Sequence, residues 1–194
     1  MPMKFNASLL LTLSLVALSS ACENAPETER ISRPFAYEGY SEAVFDNVER
    51  SSTYVTMSDG ARIAAEVYLP TGFSGDGAEP RKFPTISVLT PYMRLRVNTE
   101  TGEIIPRQSS RPDETVENFT SHGYAFVVAD TRNYGASEGS ALGFGWRYQK
   151  DAGELIDWIA EQPWSDQNVG MVGGSHPGWT QIAAASNKPA ALKA

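Results

Sequence analysis

Between residues 53 and 194 the chain alternates short apolar runs with polar, turn-forming stretches, and the spacing within each run separates strands from helices. Tyr54-Val55-Thr56-Met57, the tight Ser58-Asp59-Gly60 and Arg62 to Leu69 read as strand, turn and strand, because Asp-Gly between β-type runs is a hairpin signal. Pro70 is expected to stop the second strand, and a loop rich in glycine, proline and charge follows. Thr85 to Leu89 is a short apolar run of the kind buried on both faces. Met93 to Pro112 is a long polar excursion, and structureless loops of that length tend to be functional or mobile. Thr115 to His122 predicts a short helix closed by Gly123. Tyr124 to Ala129 predicts a second buried strand ending at Asp130, with turn-rich residues after it. Asp151 to Glu161 places Leu155, Ile156, Trp158 and Ile159 on one side of an amphipathic helix. Asn168 to Gly173 is a third buried strand, and Trp179 to Ala185 an alanine-rich helix. This alternation argues for an α/β fold class: an antiparallel hairpin leading into a mostly parallel, helix-covered sheet.

The start of the chain follows a different pattern. Lys4, an apolar run over residues 7–17 and the small residues Ser19-Ser20-Ala21 have the layout of an export signal. The run is shorter than the roughly 20 residues of a membrane-spanning helix. A buried N-terminal helix is the competing reading, but the polar stretch after it offers nothing to pack on. Leu18-Ser19-Ser20-Ala21-Cys22 resembles the lipobox of bacterial lipoproteins, which implies acylation of Cys22 and anchoring to a membrane; ordinary cleavage after Ala21 is the alternative. Either reading takes the protein out of the cytoplasm, to the cell envelope or beyond. The expected organisation is thus a signal at 1–21, a spacer at 22–52 and one domain at 53–194.

Composition narrows the chemistry. The 194 residues carry 16 basic and 23 acidic side chains, a net charge of −7 that argues against nucleic acid as a partner. An apolar fraction of 41% is enough for a core, so disorder throughout is excluded. A single cysteine allows no intramolecular disulfide and no cysteine-built zinc site. Neither of the common glycine-rich nucleotide-binding motifs occurs. His122 and His176 are the only histidines.

The third buried strand runs into Gly173-Gly174-Ser175-His176-Pro177-Gly178 and then into a helix. This is the setting of a nucleophile elbow, in which a serine on a sharp strand-to-helix turn is exposed above the sheet. The helix that follows directs its positive end at the reacting centre, where an oxyanion would develop. The usual G-x-S-x-G spacing is not met, because Pro177 stands at the last glycine position and Gly178 comes one place later. A Gly-x-Ser by itself is a common turn; its strand and helix neighbours make it specific.

Several segments, in order, are similar to the cocaine-esterase, α-amino-acid ester hydrolase and Xaa-Pro dipeptidyl-peptidase group of serine hydrolases. They are Met57 to Arg62, Thr90-Pro91-Tyr92, Gly123-Tyr124 through Asp130-Thr131-Arg132, Gly135 to Gly139, Asp157-Trp158-Ile159, Trp164, Asn168 to Met171 and the elbow itself. The resemblance implies an α/β-hydrolase fold, represented by its N-terminal part. It implies Ser175 as the acyl-accepting nucleophile, the backbone N–H of His176 as one oxyanion donor and the Tyr92 hydroxyl as the other. Tyr92 lies just past a strand's C-terminal end, where ligands bind in open α/β sheets, though strand-end tyrosines also serve simply as packing. A phenol can donate to an alkoxide-like oxygen without ionising. His176 departs from the tyrosine common at its position, which bears on the polarity of the pocket. Asn133 replaces a glycine and tolerates a left-handed backbone. Asp130 and Arg132 read as loop-holding residues through an ion pair or backbone bonds, with direct catalysis the weaker alternative.

A serine needs a histidine base, oriented in turn by an acid. After Ser175 the sequence offers only His176, on the turn itself, and no Asp or Glu. His122, at a helix end before a strand, is expected to interact with the helix dipole. The triad acid and base are therefore expected further along a longer fold, and residues 190–194 read as the opening of another strand. Two functions compete: a serine hydrolase of small ester, amide or peptide substrates working through an acyl-enzyme, and a hydrolase-like module that binds without turnover. The first needs no metal or organic cofactor.

Overall fold

In a computed structural model, the chain is described over residues 41–106, 115–140 and 145–194. The signal, Cys22 and most of the spacer lie outside the described residues. Strands β1 (Phe45–Thr56) and β2 (Arg62–Phe73) form the expected antiparallel hairpin around Asp59-Gly60. The hairpin is longer at both ends than its apolar pattern suggested. β1 begins inside the segment read as spacer, because Phe45 packs on Phe73 and Phe83 at ring separations of 5.3 and 5.7 Å. The polar residues that follow Phe45 suit an exposed edge strand, where polarity suppresses unwanted pairing. Pro70 does not stop β2. Beyond Tyr68 that strand pairs with β1 alone, and a strand with one unpaired side tolerates proline.

β3 (Phe83–Thr90), β6 (Ala125–Asp130) and β7 (Ser165–Met171) are mutually parallel, and the sheet order is β1-β2-β6-β3-β7 with β6 antiparallel to β2. Between β3 and α1 (Val116–Ser121), a small hairpin of β4 (Leu95–Val97) and β5 (Ile104–Pro106) occupies part of the stretch expected to be loop. α2 (Trp146–Glu161) starts five residues before the expected Asp151. Its Gly145 cap has no side chain to announce the start. α3 (His176–Ser186) begins directly after Ser175 rather than at Trp179. Residues 191–194 run parallel along β7, with Val169 N–H donating to the Ala191 carbonyl at 2.8 Å and Met171 N–H to Ala194 at 2.9 Å.

The two-residue period of the strands sorts the core onto two faces. Ile63, Ala65, Val67, Leu89, Val127, Ala129, Val169 and Met171 pack with Leu155, Ile156 and Ile159 of α2 and Ala183 and Ala184 of α3. Tyr68, Val88, Phe126 and Val128 face the other way, onto Val116 and Phe119 of α1. Helices cover the sheet on both sides, and its parallel strands bring Thr90, Asp130 and Met171 to one edge. The three loops leaving that edge carry the candidate site.

Candidate active site

Ser175 caps α3 with φ 61° and ψ −125°, a left-handed backbone that costs a non-glycine residue about 1–3 kcal/mol. The turn is possible because Gly173 precedes it at φ 134°: a Cβ there would stand 2.5 Å from Pro177 Cβ. Pro177, which broke the familiar glycine spacing, occupies the first turn of α3, where proline is pre-shaped for a helix. It packs onto the vacancy left by Gly173. The Gln181 side chain donates to the Gly173 carbonyl at 2.9 Å, and Trp179 N–H to the Ser175 carbonyl at 3.1 Å. Gly178 fits closely behind, its notional Cβ 3.4 Å from the Gly173 carbonyl.

The Tyr92 hydroxyl lies 3.1 Å from Ser175 Oγ, so the residues expected to share the site do meet. Tyr92 is held by its own N–H, which donates to Thr90 Oγ1 at 3.1 Å. His176 contributes its backbone at the N-terminus of α3, beside Ser175. Its ring packs among Tyr92, Tyr148 and Trp179 at centroid separations of 6.3, 5.8 and 5.8 Å. An electrophilic carbonyl placed over Ser175 could thus receive attack from Oγ while its oxygen meets a phenolic O–H and an N–H at a helix's positive end.

Thr180 joins the two halves. Fully buried, it has its hydroxyl 3.0 Å from the Leu89 carbonyl at the end of β3 and 2.9 Å from the Pro177 carbonyl. It therefore ties the helix behind Ser175 to the strand that delivers Tyr92. Thr180→Val keeps the shape and removes the donor; we expect it to lower unfolding free energy by about 1–2 kcal/mol in urea titration. No loss would show that the hydroxyl contributes only its volume.

Burial lowers the His176 imidazole below its ordinary 6.5, with a backbone hydrogen bond opposing by less. Among the described residues, the phenols of Tyr92 and Tyr148 and the Trp179 indole pack against the ring. The folded state thus holds the ring neutral while the unfolded chain takes a proton at higher pH. The stability from this burial is present above 6.5 and is lost as pH falls toward the lowered folded value. Between about pH 7 and 5, thermal melts of the wild type should lose more Tm than melts of His176→Phe. Parallel losses in both would place the titration elsewhere.

The two loop residues each find an unexpected partner. Asp130 pairs with Arg94, whose Nη1 stands 2.6 Å from Oδ2. Arg132 forms a bidentate pair with Asp151 on α2, both bonds 2.7 Å, and reaches Asp59 at 3.0 Å. The Arg132 hydrogen bond to Asp59, helped by the Ala61 N–H and the Arg147 charge, holds the Asp59 carboxyl down at about 2. His122 caps α1, its Nδ1 2.7 Å from the Asn118 carbonyl. It precedes β6, at the opposite sheet edge from Ser175, and so is no base for it. Arg94, Thr180 and Tyr148 escaped the sequence reading, having no motif spacing; their partners lie 36, 91 and 17 residues away.

Residues 59–194 match the family model described as X-Pro dipeptidyl-peptidase (S15 family). The cocaine esterase of Rhodococcus sp. (strain MB1 Bresler) is 36% identical over 144 residues, 74% of this chain and 22% of that protein. Among solved structures, a CocE/NonD family hydrolase from Staphylococcus aureus aligns with TM-score 0.57 and 26% identity over 75% of this chain and 26% of its own. An aminopeptidase from a marine sediment Thaumarchaeota archaeon shares the fold, with TM-score 0.59 and 23% identity over 86% of this chain and 28% of its own. The chain spans about a fifth of the length of the curated relatives it matches.

Proposed function

Since the chain belongs to the X-Pro dipeptidyl-peptidase (S15) family of hydrolases, we propose that Ser175 is the nucleophile of a serine hydrolase acting on small ester, amide or acyl-amino substrates. The observation that carries this reading is the 3.1 Å approach of the Tyr92 hydroxyl to Ser175 Oγ at the carboxyl edge of the parallel strands. In the proposed reaction, Oγ attacks the acyl carbonyl and its proton passes to a base. The tetrahedral oxygen is received by the Tyr92 O–H and the His176 N–H, and collapse expels the alcohol or amine to leave an acyl-enzyme on Ser175. Water then releases the acid. A neutral phenol suits this role because it gives a hydrogen bond without adding a charge that must be desolvated.

A second reading is binding of acyl compounds at this site without turnover, since His122 stands at the opposite sheet edge from Ser175. Exposure to a fluorophosphonate, with peptide mapping by mass spectrometry, separates the two. Stoichiometric modification at Ser175, accompanied by hydrolysis of p-nitrophenyl acetate, is expected for the hydrolase. A chain that stays unmodified where a known serine esterase is fully modified would favour the second reading.

A further inference from the structure

We propose that Arg94 is a positioning residue for this chemistry: clamped between two buried carboxylates, it fixes the backbone that carries Tyr92 and so sets the phenol against Ser175. The inference rests on the reading of Ser175 and Tyr92 given above.

Arg94 follows Tyr92 by two residues, and its side chain is 18% exposed, while Glu66 and Asp130 are fully buried. Its Nε stands 3.0 Å from Glu66 Oε1 and its Nη1 2.6 Å from Asp130 Oδ2. The Arg94 backbone N–H also donates to Asp130 Oδ1 at 2.6 Å. One carboxylate thus holds both the main chain and the side chain of the same residue. Between Arg94 and Tyr92, Met93 takes φ 66°, a left-handed backbone that persists only where its surroundings enforce it. The anchor at Arg94 on one side and Thr90 Oγ1 on the other supply that enforcement.

The carboxylate is itself held from the next loop. Asp130 Oδ2 accepts the Ala136 N–H at 3.1 Å, and the Asp130 carbonyl accepts the Ser137 hydroxyl at 2.7 Å. Gly135 leaves the room: a Cβ there would lie 2.2 Å from Oδ2. Glu66 is fixed in turn by the Ser52 hydroxyl at 2.7 Å and, more loosely, by Arg50 at 3.7 Å. Such a set matters because a phenolic oxygen sits at the end of a long side chain, where a small backbone rotation is amplified. A misplacement of about 1 Å at a reacting group can cost roughly 10²-fold in rate.

The experiment uses the full chain with Arg94→Lys, which keeps one charge but loses the fork, and Arg94→Met as the harsher variant. Each is combined with Tyr92→Phe. The phosphonylation rate of Ser175 is expected to fall about tenfold in Arg94→Lys and further in Arg94→Met. In the Tyr92→Phe background the same replacements should change it less than about twofold, because the group they position is gone. Equal losses in both backgrounds, or no loss in either, would overturn the proposal. A second readout needs no chemistry: 3-fluorotyrosine at position 92 should give a fluorine resonance that Arg94→Lys shifts or splits. Arg50→Met, which touches Glu66 but not the Tyr92 loop, should leave it in place. A resonance unmoved by Arg94→Lys overturns the positioning role. Failure of the wild type to react with the phosphonate, with the resonance still responding, defeats the nucleophile assignment instead.

Discussion

Ser175→Ala is expected to abolish modification by fluorophosphonates and to lower any ester hydrolysis by several orders of magnitude. Deleting the nucleophile of a serine hydrolase costs on the order of 10⁶ in kcat, because the remaining groups can bind and polarise the substrate but form no acyl-enzyme. The fold should not suffer. Alanine has the same Cβ as serine, so the φ of 61° at the elbow is no worse, and Gly173 still accommodates Pro177. The lost hydroxyl contact is with Tyr92, which is 39% exposed and can turn to solvent. Urea unfolding should therefore agree with the wild type within about 0.5 kcal/mol. Hydrolysis undiminished in Ser175→Ala would place the nucleophile elsewhere.

Tyr92→Phe is expected to be the next most severe change. Removal of one oxyanion donor typically costs about 10²–10³ in kcat, since the lost bond is made to charge that exists only in the transition state. KM should change by less than about twofold for the same reason. The phenyl ring keeps its contact with His176, at a centroid separation of 6.3 Å, so stability should be nearly unaffected. A raised KM with kcat unchanged would make Tyr92 a substrate contact rather than an oxyanion donor. The two variants together distinguish attack from oxyanion stabilisation: the first removes the acyl-enzyme, the second slows its formation.

The sequence alone determined the strands of the five-stranded sheet, the two long helices and the elbow, because each is written in local periods and local turn chemistry, whereas the small β4–β5 hairpin was not legible in it. The hairpin around Asp59-Gly60, the buried runs leading to Thr90 and Asp130 and the serine after Gly173-Gly174 all lie in windows a few residues wide. Even there, ends escaped where no local signal marks them. β1 enters at Phe45 because that ring meets Phe73 and Phe83, residues far along the chain, and α2 starts without a capping side chain. Only the tertiary structure decided which charges belong together. Asp130 and Arg132 are two residues apart and looked like partners. Where β6 ends at Asp130 they diverge, one to Arg94 and the other, in the turn beyond, to Asp151 and Asp59. The meeting of Tyr92 and Ser175, separated by 83 residues, follows from two parallel strands ending at the same edge. Buried ion pairs and strand-end encounters are made between elements, and no period within a single element encodes them.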